Sequence, residues 1–319
     1  MKIKRTADAA QENSPLAQQK KRSILFYLRD WRLWLLLLPA VIYVFIFSYI
    51  PMYGVQIAFR DYKAKLGIWG SEWVGMKHFI RFFKFPNFKL YMENTLRLGV
   101  YGIMMFPVSV IFALMLNEVR NVKFKKAVQM ISYMPYFLST VVVCSMLLLF
   151  FDESKGVVNT VIEALGGERI DFLTVPEYFD DLYVLSNTWQ VMGFGAIIYV
   201  AALSNVPQEL IEAAKIDGAS RLQVIWHVNI PTILPTIIIM LIFSCGGILS
   251  ASHEKILLMQ NSLNLSASQV ISTYTYKIGI QGGQFSYATA IGLFNNLVNV
   301  ALLIIVNKIA KKTSDISIW

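Results

Sequence analysis

Six long stretches of this chain carry no Asp, Glu, Lys or Arg: 33–59, 98–117, 127–151, 182–208, 228–252 and 278–307. Each matches or exceeds the roughly 20 helical residues that cross the hydrocarbon core of a bilayer. Backbone amides cannot stay unpaired in lipid, so such runs are confined to helices or closed barrels. The alternating apolar and polar residues of a barrel strand are absent. The reading is an all-α membrane protein with six transmembrane helices. Composition agrees: 56% of the 319 residues are hydrophobic and only 15% charged, too apolar for a soluble domain of this length.

An even number of spans places both termini on one side. The N-terminus, the loops at 118–126 and 209–227 and the C-terminus hold 17 Lys and Arg against 12 in the other loops, which favours cytoplasmic termini. The segment 60–97 opposes that bias with eight basic residues. Within it, "GMKHFIRFFKFPNFKLYMENTL" interleaves aromatic and basic residues, the pattern of a short helix lying at an interface. Residues 1–22, with "KIKR" and "QQKKR", read as a disordered basic arm, and 23–319 as one transmembrane domain. The run at 33–59 is too long for a cleaved signal peptide and should stay as an anchor. Cys144 and Cys245 both fall inside spans, where packing thiols are expected rather than a disulfide framework.

Between spans four and five the chain becomes polar. In the loop 205–231, Asn205 and Gln208 have the spacing of a helix cap and its reciprocal partner, and Pro207 suits a first turn. A short helix carrying Glu212, Ala213 and Ala214 should end at Gly218. A second would run through Leu222, Ile225, Trp226 and Asn229, with Pro231 opening span five. Spans on both sides leave this helix–turn–helix no reach for nucleic acid. An ordinary solvated surface and a docking surface for a partner both remain open.

"EAAKIDGASRLQVIWHVNIP" at 212–231 resembles the EAA loop of the permease subunits of binding-protein-dependent ABC importers. Glu212, Ala213, Ala214, Asp217, Gly218, Ala219, Gln223 and Pro231 match that pattern, while Ile225, Val228 and Ile230 stand where Phe, Ile and Leu are usual. Further stretches, including "TWQVMGFGAIIYVAALSNVPQELIEAAKIDGA" and "ISTYTYKIGIQGGQFSYATAIGLFNN", resemble the polysaccharide branch of the sugar permeases, the group that includes the alginate-import permeases. The resemblance implies a type I importer permease in the inner membrane. It implies a second permease, two ATP-binding subunits that hold ATP and magnesium, and an extracytoplasmic solute-binding protein. It also implies that the EAA loop is a coupling helix docked on the ATPase, with Glu212 supplying a charge and Gly218 the bend.

Nothing in the chain supplies the energy of transport. No Gly-Lys dipeptide occurs, which excludes the phosphate-binding loop G-x-x-x-x-G-K-[ST], and the three histidines lie at different membrane faces. The middles of the spans lack ionisable residues, unlike those of an ion-driven secondary carrier, the contrasting reading beside a non-transporting scaffold. For a cargo path, Asn187, Gln190 and Phe194 recur at i, i+3 and i+7 beside Trp189, while Ser244 and Ile248 share a face of span five. By resemblance to the maltose permease, Asn187, Gln190, Phe194, Ser244 and Ile248 align with sugar-contact positions. Amides inside spans also bond neighbouring helices, and that packing role is expected for Asn295, Asn296 and Asn299.

Overall fold

The structure is a computed structural model that describes residues 31–319; the basic arm expected at 1–22 lies outside the described residues. Contacts divide the chain into a unit ending at Gln56 and a second unit, Ile57–Trp319. In the first, helix Trp31–Val44 continues through a π turn, Phe45–Tyr49, in which Ile50 N donates to Phe45 O. Pro51 follows directly, so the ladder widens just where an N–H is about to be missing. The same device recurs in the second unit, where the π turn Ile225–Asn229 closes with Ile230 N on Ile225 O immediately before Pro231.

Among the described residues, five helices are long and apolar enough to cross a membrane: Arg32–Phe59, Phe88–Glu118, Pro176–Ser204, Arg221–Gly246 and Phe285–Ser314. The sixth expected crossing is a bent pair, Val122–Phe137 and Thr140–Phe150, meeting at 101°. A continuous helix over 127–151 was the sequence expectation. The break occurs because Ser139 adopts an extended backbone and caps a new helix, its Oγ accepting from Val142 N at 3.3 Å. Other boundaries shift for similar local reasons. Span two begins ten residues early, since a helix can carry Lys89, Glu93 and Arg97 past the apolar run. Span six begins at Phe285 because Gly283, with φ 65°, breaks the chain before it.

The segment 60–97 departs further from expectation. Arg60–Lys63 and Ser71–Trp73 form an antiparallel hairpin with Arg60 opposite Trp73 and Asp61 opposite Glu72. The helix expected to lie at an interface is only Lys77–Phe83, and it packs inward. Phe82 joins Tyr287 and Ile291 of the last helix, Phe79 joins Ala290, and the Arg81 guanidinium sits 4.1 Å from the Tyr287 ring centroid. One face, His78, Phe79 and Phe82, is covered by protein, while Ile80 and Phe83 stay exposed. The remainder of that stretch is the first turns of span two.

Two apolar clusters organise the second unit. Val110, Ala113, Ala196, Tyr199, Leu203 and Ile233 join spans two, four and five towards the 205–231 loop. Leu98, Cys144, Tyr183, Ile256, Met259 and Val270 join spans two, three and four to the segment 253–270. Between spans, where lipid is as apolar as these side chains, the clusters hold by close van der Waals packing rather than by removal from water. Polar ties hold the segment in register: Asn94 Nδ2 donates to Ser266 O and Gln269 O, each at 2.9 Å, and Ile271 N donates to Thr95 Oγ1 at 3.0 Å.

Two glycines set the closest approaches. A Cβ at Gly193 would lie 2.1 Å from Ser132 O, and one at Gly99 would lie 2.2 Å from Ile248 O; at Gly195 it would meet only the rotatable Ser109 Oγ at 3.1 Å. Gly193→Ala and Gly99→Ala should therefore each destabilise the protein by about 1–3 kcal/mol through overpacking. Gly195→Ala should melt within a few degrees of the parent. Thermal melting of the purified variants checks both, and equal melting of all three would refute the close-approach account.

Candidate functional site

The loop 205–231 holds its shape by local hydrogen bonds. Helix Gln208–Ile216 follows Pro207 and has no side-chain cap. The cap expected at Asn205 is not formed, because its Nδ2 donates back to Ala201 O at 3.2 Å and so closes the preceding helix. At the other end Gly218 has φ 79°, Gly218 N donates to Lys215 O and Ala219 N to Ala214 O, the paired bonds of a Schellman stop. Ser220 then opens the next helix with a capping box: Gln223 Oε1 accepts from Ser220 N at 2.7 Å, and Ser220 Oγ accepts from Gln223 N at 3.4 Å. Thus Gly218, Ser220 and Gln223 each have a structural task. The second helix does not stop before Pro231; Arg221–Gly246 is one continuous span.

That scaffold leaves a distinctive surface. Ile216 is 86% exposed, Leu222 68% and Trp226 66%. Glu212, Ala213 and Asp217 are exposed alongside them, with Glu212 Oε1 accepting from Gln208 Nε2 at 3.4 Å. Large apolar side chains grouped on a loop between spans, rimmed by charge, mark a contact surface.

The six residues expected along a cargo path separate into four settings. Asn187, Ser244 and Ile248 line one cavity of about 220 Å³ together with Gly99, Gly102 and Tyr183. Gln190 instead donates from Nε2 to Leu138 O at 3.1 Å, covering a carbonyl freed by the break in span three. Phe194 stacks on Tyr136 with centroids 3.9 Å apart and meets Phe137 edge-on. Trp189 lines a separate, mostly apolar cavity of about 500 Å³ with Phe150, Phe172 and Leu185. Sequence reasoning missed Tyr183, Gly99 and Gly102. Tyr183 stands one helical turn before Asn187 and was legible by spacing, whereas the glycines come from a different span.

Behind Tyr183 lies a buried cation. Lys255 is 2% exposed, its Nζ has no hydrogen-bond partner, and it sits 5.4 Å from the Tyr183 ring centroid. Burial lowers its pKa to about 8. The Cys144 thiol, which donates to Lys255 O at 3.9 Å, lies against it.

A family model described as "binding-protein-dependent transport system inner membrane component" matches residues 105–315. The chain belongs to that family. It is 42% identical over 303 residues to the polygalacturonan/rhamnogalacturonan transport system permease protein YteP of Bacillus subtilis, covering 95% of this chain and 94% of the relative. A solved bacterial ABC transporter involved in import of the acidic polysaccharide alginate has a chain with TM-score 0.82 and 38% identity, over 90% of this chain and 97% of that one. A second, bacterial alginate ABC transporter in complex with an alginate pentasaccharide-bound periplasmic protein, has TM-score 0.84 and 36% identity over 93% and 100%. The fold is that of a type I importer permease, and the carrier and scaffold readings fall away.

The Lys255 ammonium carries a pH signature. Its unfolded pKa is about 10.4, so between pH 8 and that value the unfolded chain holds a proton that the folded chain has lost, and stability rises with pH. Below pH 8 the full cost, about 3 kcal/mol, is present. Lys255→Met should raise the melting temperature at pH 7 and remove most of the rise from pH 7 to 9.5. A lower melting temperature at pH 7 would contradict an unpaired ammonium.

Proposed function

We propose that this chain is one of two membrane subunits of an ATP-driven importer for a uronate-bearing oligo- or polysaccharide, acting with two ATPase subunits and an extracytoplasmic binding protein. Residues 23–319 act as one permease domain of the inner membrane, with the 205–231 loop and both termini in the cytoplasm. ATP and magnesium are held by the ATPase partners. The observation that carries this reading is the loop itself. Its internal caps fix a rigid shape while Ile216, Leu222, Trp226 and Glu212 stay exposed for a partner. Arg221–Gly246 continues from that loop without interruption, so a push on the loop is delivered to Ser244 in the cavity wall.

The substrate class follows from two relatives whose names specify polyuronates, polygalacturonan and alginate. Two features of this chain suit such cargo. Asn187 and Ser244 offer amide and hydroxyl groups to sugar oxygens, and Lys255 keeps an unneutralised charge beside the Tyr183 wall at a cost to stability. Asn187→Ala should lower uptake of an oligouronate several-fold while the complex still assembles. Loss of assembly would instead make Asn187 a packing residue.

The loop is tested by a pair of substitutions at one position. Space around Gly218 is open, so only its left-handed backbone restricts the side chain. Asparagine tolerates that conformation and valine does not, at a difference of about 1–2 kcal/mol. Gly218→Val, like Glu212→Lys, should leave membrane insertion intact but abolish coupling of ATP hydrolysis to uptake in proteoliposomes holding the full complex. Gly218→Asn should keep most of it. Coupled uptake at the parent rate by both Gly218→Val and Glu212→Lys would sink the assignment.

A further inference from the structure

Span six has one polar face. Phe285, Ala288, Thr289, Gly292, Asn295, Asn296 and Asn299 follow the 3.6-residue period as a stripe about 21 Å long. They form one wall of a groove of about 460 Å³ whose other wall is the segment 249–280. No Asp, Glu, Lys or Arg lines it; its polar groups are amides and hydroxyls, with the His253 and Tyr276 rings stacked 5.2 Å apart at its edge. Asn299 fulfils the packing role expected of it, accepting from Leu249 N at 3.3 Å and donating to Ser250 Oγ at 3.0 Å. Asn295 does not. Its Oδ1 and the Ser272 Oγ across the groove are both shielded and have no hydrogen-bond partner.

Those two atoms are covered by protein, so the groove itself presents Asn296 and Thr289 among apolar and aromatic side chains. It is suited to a ligand that brings many hydroxyls of its own and a ring face to lay on aromatic side chains. The groove also adjoins the Asn187 cavity, because Ser250 lines both and Leu249 and Ile248 divide them. We propose that this groove is a second glycan subsite, which takes the sugar residues that follow along the chain beyond a disaccharide held at Asn187. Hydroxyl recognition falls to Asn296 and Thr289 on the span-six wall, and charge is left to Lys255 outside it. The inference rests on the glycan-import reading above. It adds that this transporter distinguishes substrates by length, since only a chain longer than the first cavity reaches the groove.

The test uses the complete transporter in proteoliposomes with digalacturonate and pentagalacturonate as probes. Asn296→Leu combined with Thr289→Val removes polar groups at nearly constant volume. Two lost hydrogen bonds of about 1 kcal/mol each predict roughly a tenfold or greater fall in pentamer uptake, with dimer uptake changed less than twofold. An equal fall for both probes, no fall for either, or failure of the two permeases to co-purify would overturn the subsite; the last would make the stripe a packing face. A second measurement is independent of rates. In a Cys144→Ser, Cys245→Ser background, Asn296→Cys should react with a water-soluble maleimide in the assembled complex and be protected by pentagalacturonate. No labelling, or labelling without protection in a transporter that moves the pentamer, overturns the groove alone. If the unmodified transporter moves neither probe, the acidic-glycan reading falls instead.

Discussion

Every backbone N–H and C=O within a bilayer must find a partner inside the protein, and this structure is organised by the places where its helices fail to provide one. The chain breaks near Leu138, again over 247–252 and again over 260–271. At each break a side chain from a distant span covers the exposed group. Gln190 reaches Leu138 O, Asn299 Oδ1 accepts from Leu249 N, Tyr183 Oη accepts from Ser252 N, and Thr95 Oγ1 accepts from Ile271 N. Without these four contacts the bent span three and the segment 247–271 would each leave buried polar groups unpaired.

The breaks also open the cavities beside span four and along span six. A bundle of six straight apolar helices would close on itself. Here the segment 247–251, pressed against Gly99, turns Ser250 and its neighbours towards two openings, one at Asn187 and one along span six. Glycine at 99 permits the contact and polar side chains stabilise the irregular backbone. The polar residues left over from that task, among them Thr289 and Asn296, line a groove. A cost in stability is concentrated in the same region, where Lys255 lies buried without a partner.

At the other end of span five the loop works by the opposite principle. It depends on no distant partner for its form: a Schellman stop at Gly218 and a capping box between Ser220 and Gln223 set the angle between two helices by themselves. Self-sufficient geometry frees the outward side chains for another protein. It also explains why the D-G-A-S spacing is so readable, since each of those residue types answers a local backbone demand.

Sequence alone determined the membrane class, the apolar crossings and the loop with its left-handed glycine, because runs, caps and motifs depend on residues within about one helical turn to one span of each other. It also singled out Asn187, Ser244 and Ile248, which the fold brings to one cavity. Only the tertiary structure decided that span three is bent, that the helix Lys77–Phe83 packs one face on the last helix, and that Gln190 covers a carbonyl while Asn187 lines a cavity. Gln190 and Asn187 are one turn apart on the same face, and what separates them is the position of a break 52 residues away from Gln190. An amide in a membrane helix has the same propensity whether its partner is a backbone group or a sugar, so its role is set by which opening the fold brings opposite to it.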